Sequence, residues 1–213
     1  MNELTVIFVA VLAKLFSIVN PFGVVPMYLT MTSNYEKKER NRLVLSTSIY
    51  FVGILLVFFW AGAYILSFFG LSINALRIAG GLIILSSALA LQNDKFAENR
   101  GVDEEAQKRA MESTNDIAFS PLAMPMLSGP GSISLLIGFY AEYEKLEERV
   151  AISSVIIIVG VIVYLVLRSA PLLYKLLGAS GLKAGSRIMA FITMAIGVQF
   201  IISGVVALVK SLG

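Results

Sequence analysis

Few side chains in this sequence are equipped for chemistry. Its 213 residues include no histidine and no cysteine. Imidazole acid–base catalysis, thiol nucleophiles, disulfides and the usual Cys/His zinc sites are therefore excluded. The remaining polar groups gather in two proline- and glycine-rich stretches set within apolar sequence. One is Asn20-Pro21-Phe22-Gly23-Val24-Val25-Pro26. The other runs from Ser120-Pro121 through Pro125 and Ser128-Gly129-Pro130-Gly131 to Ser132. A proline inside a helix removes a donor and clashes with the carbonyl four residues back, at about 3 kcal/mol, and glycine adds backbone freedom. Both stretches are expected to unwind, presenting main-chain N–H groups and carbonyls side by side. Half-helices beginning after Pro26 and Pro130 would aim the positive ends of their dipoles at the same place. With Asn20, Ser128, Ser132 and Ser134 as further polar groups, the arrangement suits a small zwitterion: carboxylate on N–H groups, ammonium on carbonyls and hydroxyls. The candidate binding set is Asn20, Pro21, Gly23, Pro26, Ser128, Gly129, Pro130, Gly131 and Ser132. The competing chemistry is a Ser–Lys pair, Ser128 or Ser132 with Lys14, because a desolvated lysine can serve as base. No Gly-x-Ser-x-Gly elbow accompanies it. No metal site and no resident cofactor are expected.

These stretches need elements to position them, and composition says what those elements are. Apolar residues make up 57% of the chain and charged residues 15%, against about 45–50% and about 25% in soluble domains. Such a chain is neither an ordinary soluble domain nor disordered. Six apolar stretches, at about 4–32, 43–69, 72–92, 117–140, 150–177 and 185–209, each provide the roughly 20 residues needed to cross a bilayer. The first lacks a basic leader and continues past signal-peptide length, so it is read as a mature span. None of the 14 acidic residues falls inside a span, and Lys14 is the one basic residue well inside. A charge at mid-bilayer costs about 2.5–3.5 kcal/mol on insertion scales, which accounts for the segregation. Twelve of the 17 Lys and Arg residues lie in the connections after the first, third and fifth spans, and four lie on the other side. This bias places the 93–116 connection, a solvated linker, in the cytoplasm and both termini outside. A net charge of +3 gives no reason to expect a nucleic-acid partner.

The two halves, 1–92 and 117–213, resemble each other. Pro21 and Pro26 match Pro125 and Pro130 in spacing; a polar turn at Tyr35–Arg40 matches one at Tyr143–Arg149; Arg77-Ile78 matches Arg187-Ile188. The offsets are 104, 108 and 110. Three spans per half means that the second copy enters the membrane inverted. Inverted repeats recur among secondary transporters, where equivalent halves open alternately to either side. The expected fold is an all-α polytopic membrane protein, six transmembrane helices forming two inverted three-helix repeats with discontinuous helices 1 and 4. In span four the flanks 117–124 and 132–140 would form stubs of about 12 and 13 Å, placing the break near mid-bilayer. In span one the break lies deeper toward the cytoplasm, or the segment re-enters as a hairpin. Lys14, Asn74 and Gln199 are candidates for coupling or cavity-lining roles. Arg77 and Arg187 suit interface anchors, and Gly80, Gly81, Gly197 and Gly204 suit close helix packing.

At these motifs the chain resembles a known family. Asn20-Pro21, the block Gly70–Gly81, Pro121-Leu122-Ala123-Met124-Pro125 with Gly129-Pro130-Gly131, and Gly197-Val198-Gln199-Phe200-Ile201-Ile202 are similar to the MarC family, also called the small neutral amino acid transporter (SnatA-like) family. The resemblance covers nearly the whole chain. It implies a six-span inner-membrane protein of bacteria or archaea. For transporter members it implies movement of glycine, alanine, serine and similar small neutral amino acids. Members often carry an acidic residue where this chain has Asn20. The expected function is thus secondary transport of such amino acids by alternating access. A channel, or an exporter of other small solutes, is the alternative; an intramembrane Ser/Lys enzyme is less favoured. With no acidic residue in a span and no histidine, a side-chain proton relay is poorly provided for. Coupling to Na+ on unwound carbonyls, to H+, uniport or exchange all stay open. The expected partners are the substrate, the bilayer and, as a homo-oligomer, further copies of the chain.

Overall fold

A computed structural model describes residues 3–92 and 117–212; the 93–116 linker lies outside the described residues. The chain builds α1 (Glu3–Val19), α2 (Pro21–Met31), α3 (Lys37–Phe68) and α4 (Ile73–Gln92). An irregular segment (Ala118–Leu127) follows, then α5 (Pro130–Glu142), α6 (Leu146–Arg168) and α7 (Ala170–Leu212). No strand occurs among the described residues. The outward faces carry large apolar side chains, among them Val57, Tyr64, Phe68, Leu176 and Phe191, a surface that lipid rather than water solvates. The helices are long and apolar enough for a polytopic membrane protein.

Two details correct the sequence expectation. First, α1 and α2 together form one 29-residue span from Glu3 to Met31, so the hairpin alternative for span one falls. The interruption sits at Asn20, and the second half-helix starts at Pro21 rather than after Pro26. Proline is well placed at the first helical position, where its missing N–H is one the helix would leave unpaired anyway. Pro26 is carried inside α2.

Second, the correspondence between halves has a different register. Half-helices α2 and α5 open at Pro21 and Pro130, an offset of 109 rather than the 104 given by pairing Pro21 with Pro125. Helices α3 and α6 are capped by Glu36 and Lys145, again 109 apart. In each, a glutamate three residues on accepts from the capping amide: Glu36 N to Glu39 Oε2 at 2.9 Å and Lys145 N to Glu148 Oε2 at 3.2 Å. A left-handed glycine follows α3 at Gly70 and interrupts α7 at Gly178, both at φ 65. Gly178 breaks what would otherwise be a single 43-residue α7. Packing follows the same exchange: α4 lies on α5 as α7 lies on α2, and α3 on the irregular segment as α6 on α1.

The most extensive helix pair is α4 with α7. A Cβ on Gly81 would stand 2.7 Å from the Gly197 carbonyl oxygen, and one on Gly197 would stand 3.0 Å from that of Gly81. The two backbones touch, as small residues permit inside membranes. Gly197→Ala is therefore expected to cost about 1–3 kcal/mol by forcing the helices apart, read as a lower melting temperature in detergent. Gly53→Ala, where an added Cβ meets nothing within 4 Å, is the control and should melt no lower than the parent.

Candidate functional site

The irregular segment owes its shape to its prolines. A residue preceding proline is driven out of the helical region, and Ser120 (φ −124, ψ 126) and Met124 (φ −135, ψ 125) both obey. The Ser120–Pro121 and Met124–Pro125 peptide bonds are cis. The expected regular stub over 117–124 is thus replaced by wide turns, closed where the Ser128 N–H donates to the Ala123 carbonyl at 2.8 Å. Gly129, extended at ψ 166 before Pro130, caps α5. This segment and α5 meet at 64°, and the described residues hold five membrane-crossing candidates, or six if this bent pair counts as one span.

In the first span the break is one residue wide. Asn20 adopts φ 45, ψ 66, a left-handed conformation that asparagine tolerates better than most residues at a cost of order 1–3 kcal/mol. Its side chain is fully buried, and neither Oδ1 nor Nδ2 has a hydrogen-bond partner; the Ser128 hydroxyl at the second break is in the same condition. Buried polar groups are ordinarily satisfied, because leaving one unpaired costs about 1–3 kcal/mol. Each break therefore holds a polar side chain ready for a partner.

Beside these breaks lies a cavity of about 480 Å³. Ile18 from the last turn of α1, Ile83, Ile84, Ser86, Ser87 and Leu91 from α4, and Thr193 from α7 form part of its wall. Pro125 and the run Gly129-Pro130-Gly131-Ser132 form the rest. Among the described residues no charged side chain lines it. Hydroxyls supply its polarity: Ser132 Oγ donates to the Gly129 carbonyl at 2.8 Å, and Ser86 Oγ to that of Ile83 at 2.9 Å. Thr193 Oγ1 lies 2.9 Å from the Ser17 carbonyl of α1 and 2.8 Å from its own Met189 carbonyl. One proton serves one acceptor at a time, so Thr193 ties α7 to the broken end of α1 by a bond it can exchange. Gly131 sets the floor: a Cβ there would stand 3.0 Å from Ile84 Cγ1 and 3.6 Å from Ile18 Cγ2.

Of the residues singled out from sequence, Gly129, Pro130, Gly131 and Ser132 line the cavity, and Ser128 precedes that run. Asn20 lies two residues beyond the lining Ile18. Pro21, Gly23 and Pro26 belong to α2 outside the wall, where the Gly23 N–H donates to the Asn20 carbonyl at 3.1 Å. Lys14, Asn74 and Gln199 also stand outside. Lys14 Nζ sits 5.4 Å from the centre of the Phe139 ring, Asn74 packs its carbonyl beside Gly204, and Gln199 Nε2 donates to Ser203 Oγ at 3.4 Å. Lys14 lies over Phe139, Ser132 Oγ donates to Gly129, and Ser128 Oγ has no hydrogen-bond partner, so neither serine of the expected Ser–Lys pair is hydrogen-bonded to Lys14. Sequence reasoning missed Ser86, Ser87 and Thr193. Adjacent serines in an otherwise apolar span were a usable signal; Thr193 had none beyond its hydroxyl.

The end of α5 away from the cavity is secured by charge. Arg77 Nη2 pairs with Glu142 Oε2 at 3.3 Å. Arg149 donates to the Tyr143 and Tyr140 carbonyls at 2.9 and 3.1 Å while lying 3.8 Å over the Tyr140 ring. Burial pushes the Tyr143 phenol above its usual range, and Glu142 and Glu148 add to the effect. Among the described residues no group of three or more acidic, His or Cys side chains is placed to hold a metal.

Residues 5–209, which contain both breaks and the whole cavity wall, match the MarC family of integral membrane proteins. This chain belongs to the MarC family. A membrane protein of Methanocaldococcus jannaschii is 36% identical over 198 residues, covering 93% of this chain and 95% of the relative. An inner membrane protein named MarC from Salmonella arizonae is 35% identical over 208 residues, with 94% of each covered. A membrane protein of Buchnera aphidicola is 32% identical, covering 97% of this chain and 95% of the relative. No solved structure matches. The MarC-family chain is accordingly a multi-pass membrane protein, similar over nearly its full length to these relatives.

Proposed function

We propose that this MarC-family protein is a secondary transporter of small neutral amino acids of the glycine, alanine and serine class, working by alternating access. The observation that carries the proposal is the uncharged cavity whose wall is the broken helix itself, floored by Gly131 against Ile18 and Ile84. The N-terminus of α5 begins in that wall at Pro130, and a helix start favours a carboxylate. Hydroxyls of Ser86, Ser87, Ser132 and Thr193 suit the ammonium. A charged side chain on the solute would find no counter-ion among the described wall residues, which disfavours acidic and basic amino acids, and the isoleucines limit bulk.

The nearly equal offsets of the half-helix starts and caps, 109 residues, and of the left-handed glycines, 108, support the proposed division into inverted repeats at 1–92 and 117–213. The cavity reaches Ser86, Ser87 and Leu91, in the half of α4 that leads to the 93–116 linker. The proposed arrangement has the linker in the cytoplasm, both termini outside and the protein in the inner membrane. Na+ held by unwound carbonyls, H+ and exchange are separable modes for the same cavity.

The test is uptake of radiolabelled glycine into proteoliposomes, with and without a sodium or pH gradient. Saturable uptake and counterflow are expected, competed by alanine and serine and far less by leucine or glutamate. Absence of glycine and alanine movement under every gradient would overturn the substrate, and flux that never saturates would assign a channel.

A further inference from the structure

Helices α3 and α6 enclose a second, shallow groove of about 340 Å³ on the outer face of the bundle. Its walls include Leu45, Ile49 and Val52 from α3 and Ile157, Val161 and Tyr164 from α6; Leu45, Ile49, Ile157 and Val161 are all half exposed or more. The helices touch at its floor, where a Cβ on Gly160 would lie 2.2 Å from Val52 Cγ2.

Both walls lead to arginine. On α3 the spacing from Lys38 through Arg42, Leu45 and Ile49 to Val52 alternates four and three residues, one face of a helix. On α6 the series Ile157, Val161, Tyr164, Arg168 does the same. Trp60 Nε1 donates to Ser153 Oγ at 3.2 Å, fixing the antiparallel register. That register brings Arg168 level with Leu45, with Arg42 about one turn beyond. Arg168 lies over the groove-lining Tyr164, 5.6 Å from its ring centre, and donates to its hydroxyl. The Glu39 carboxylate, three residues before Arg42, accepts from the Glu36 amide and keeps its charge, against Lys37, Lys38, Arg40 and Arg42 in the same stretch. From Arg42 to Trp60 is about 27 Å along the helix, close to the roughly 30 Å hydrocarbon thickness. The groove therefore lies in one leaflet, with its arginines at that leaflet's surface and Trp60 toward the opposite one.

We infer that this groove is a binding site for an anionic phospholipid, one acyl chain along the α3–α6 seam and the phosphate between Arg42 and Arg168. Charge complementarity selects that occupant over a neutral lipid: guanidinium groups engage phosphate through paired donors, and each basic residue near a membrane surface adds about 1 kcal/mol of attraction to anionic lipid. Apolar walls without the arginines would hold any acyl chain equally well.

The experiment is native mass spectrometry of the full-length protein with equimolar dioleoylphosphatidylglycerol and dioleoylphosphatidylcholine. The parent should retain the anionic lipid with about tenfold preference. Arg42→Gln with Arg168→Gln should abolish the preference while leaving weak retention of both lipids. Val161→Trp, at an exposed position, should lower retention of both by filling the groove; helical circular dichroism checks that each variant is folded. Equal retention by the parent, or a preference untouched by the double arginine change, would overturn the site. So would efficient copy-to-copy crosslinking of an Ile49→Cys variant in nanodiscs, which would give this face to a second chain.

Discussion

Replacing Gly131 with leucine is expected to lower glycine transport by about a hundredfold or more in a protein that still folds and inserts. A Cβ at this position would already stand 3.0 Å from Ile84 Cγ1 and 3.6 Å from Ile18 Cγ2. The rest of a leucine side chain has only the 480 Å³ cavity to occupy. A hundredfold loss corresponds to about 2.7 kcal/mol of forfeited binding, which displacing the solute from its floor readily supplies. Overpacking costs about 1–3 kcal/mol in stability, so the variant should melt lower yet remain soluble in detergent. Transport at the parental rate in a correctly inserted variant would place the solute elsewhere.

Asn20→Gly should separate stability from function. Glycine adopts φ 45 without the Cβ penalty, and the change deletes the buried side-chain amide that has no partner. Relief of both terms outweighs the extra unfolded-state entropy of glycine, about 0.5–1 kcal/mol. A net gain of about 1 kcal/mol is expected, read as a higher melting temperature. Transport should fall at least about tenfold, because the unpartnered amide is the group at that break available to pair when the half-helix moves. A variant both more stable and fully active would show that Asn20 serves only to bend the chain. Keeping strain and an unpaired amide at one residue is the pattern expected where function opposes stability.

The spans were legible because a bilayer imposes a coarse rule, about 20 apolar residues without charge, which local detail does not disturb. The broken character of spans one and four was legible for the same reason, since prolines and glycines disrupt helices wherever they occur. The placement of the first break was not. Pro21 and Pro26 read alike in sequence, but one opens a helix as its first residue and the other rides inside it. The backbone conformation of Asn20 decides between them, and no pattern encodes it. Pairing Pro21 with Pro125 gives the wrong register, because the half-helices open at Pro21 and Pro130. The capping glutamates Glu39 and Glu148 and the left-handed glycines Gly70 and Gly178 were the truer markers, because they are tied to helix ends. Within the cavity the second break was readable residue by residue, from Gly129 to Ser132. The opposite wall was not, because it depends on which faces of α4 and α7 turn inward once Gly81 and Gly197 bring those helices into contact. Lys14 drew attention as a lone intramembrane charge; Phe139 receives it.

The account rests on a small amino acid occupying the hollow at the second break. Equilibrium binding of radiolabelled glycine to the purified protein, beside Gly131→Leu, tests this without depending on coupling or orientation. One saturable site is predicted for the parent, displaced by alanine and serine, not by glutamate, and lost in Gly131→Leu. No saturable binding by the parent, or undiminished binding by the leucine variant, would contradict it.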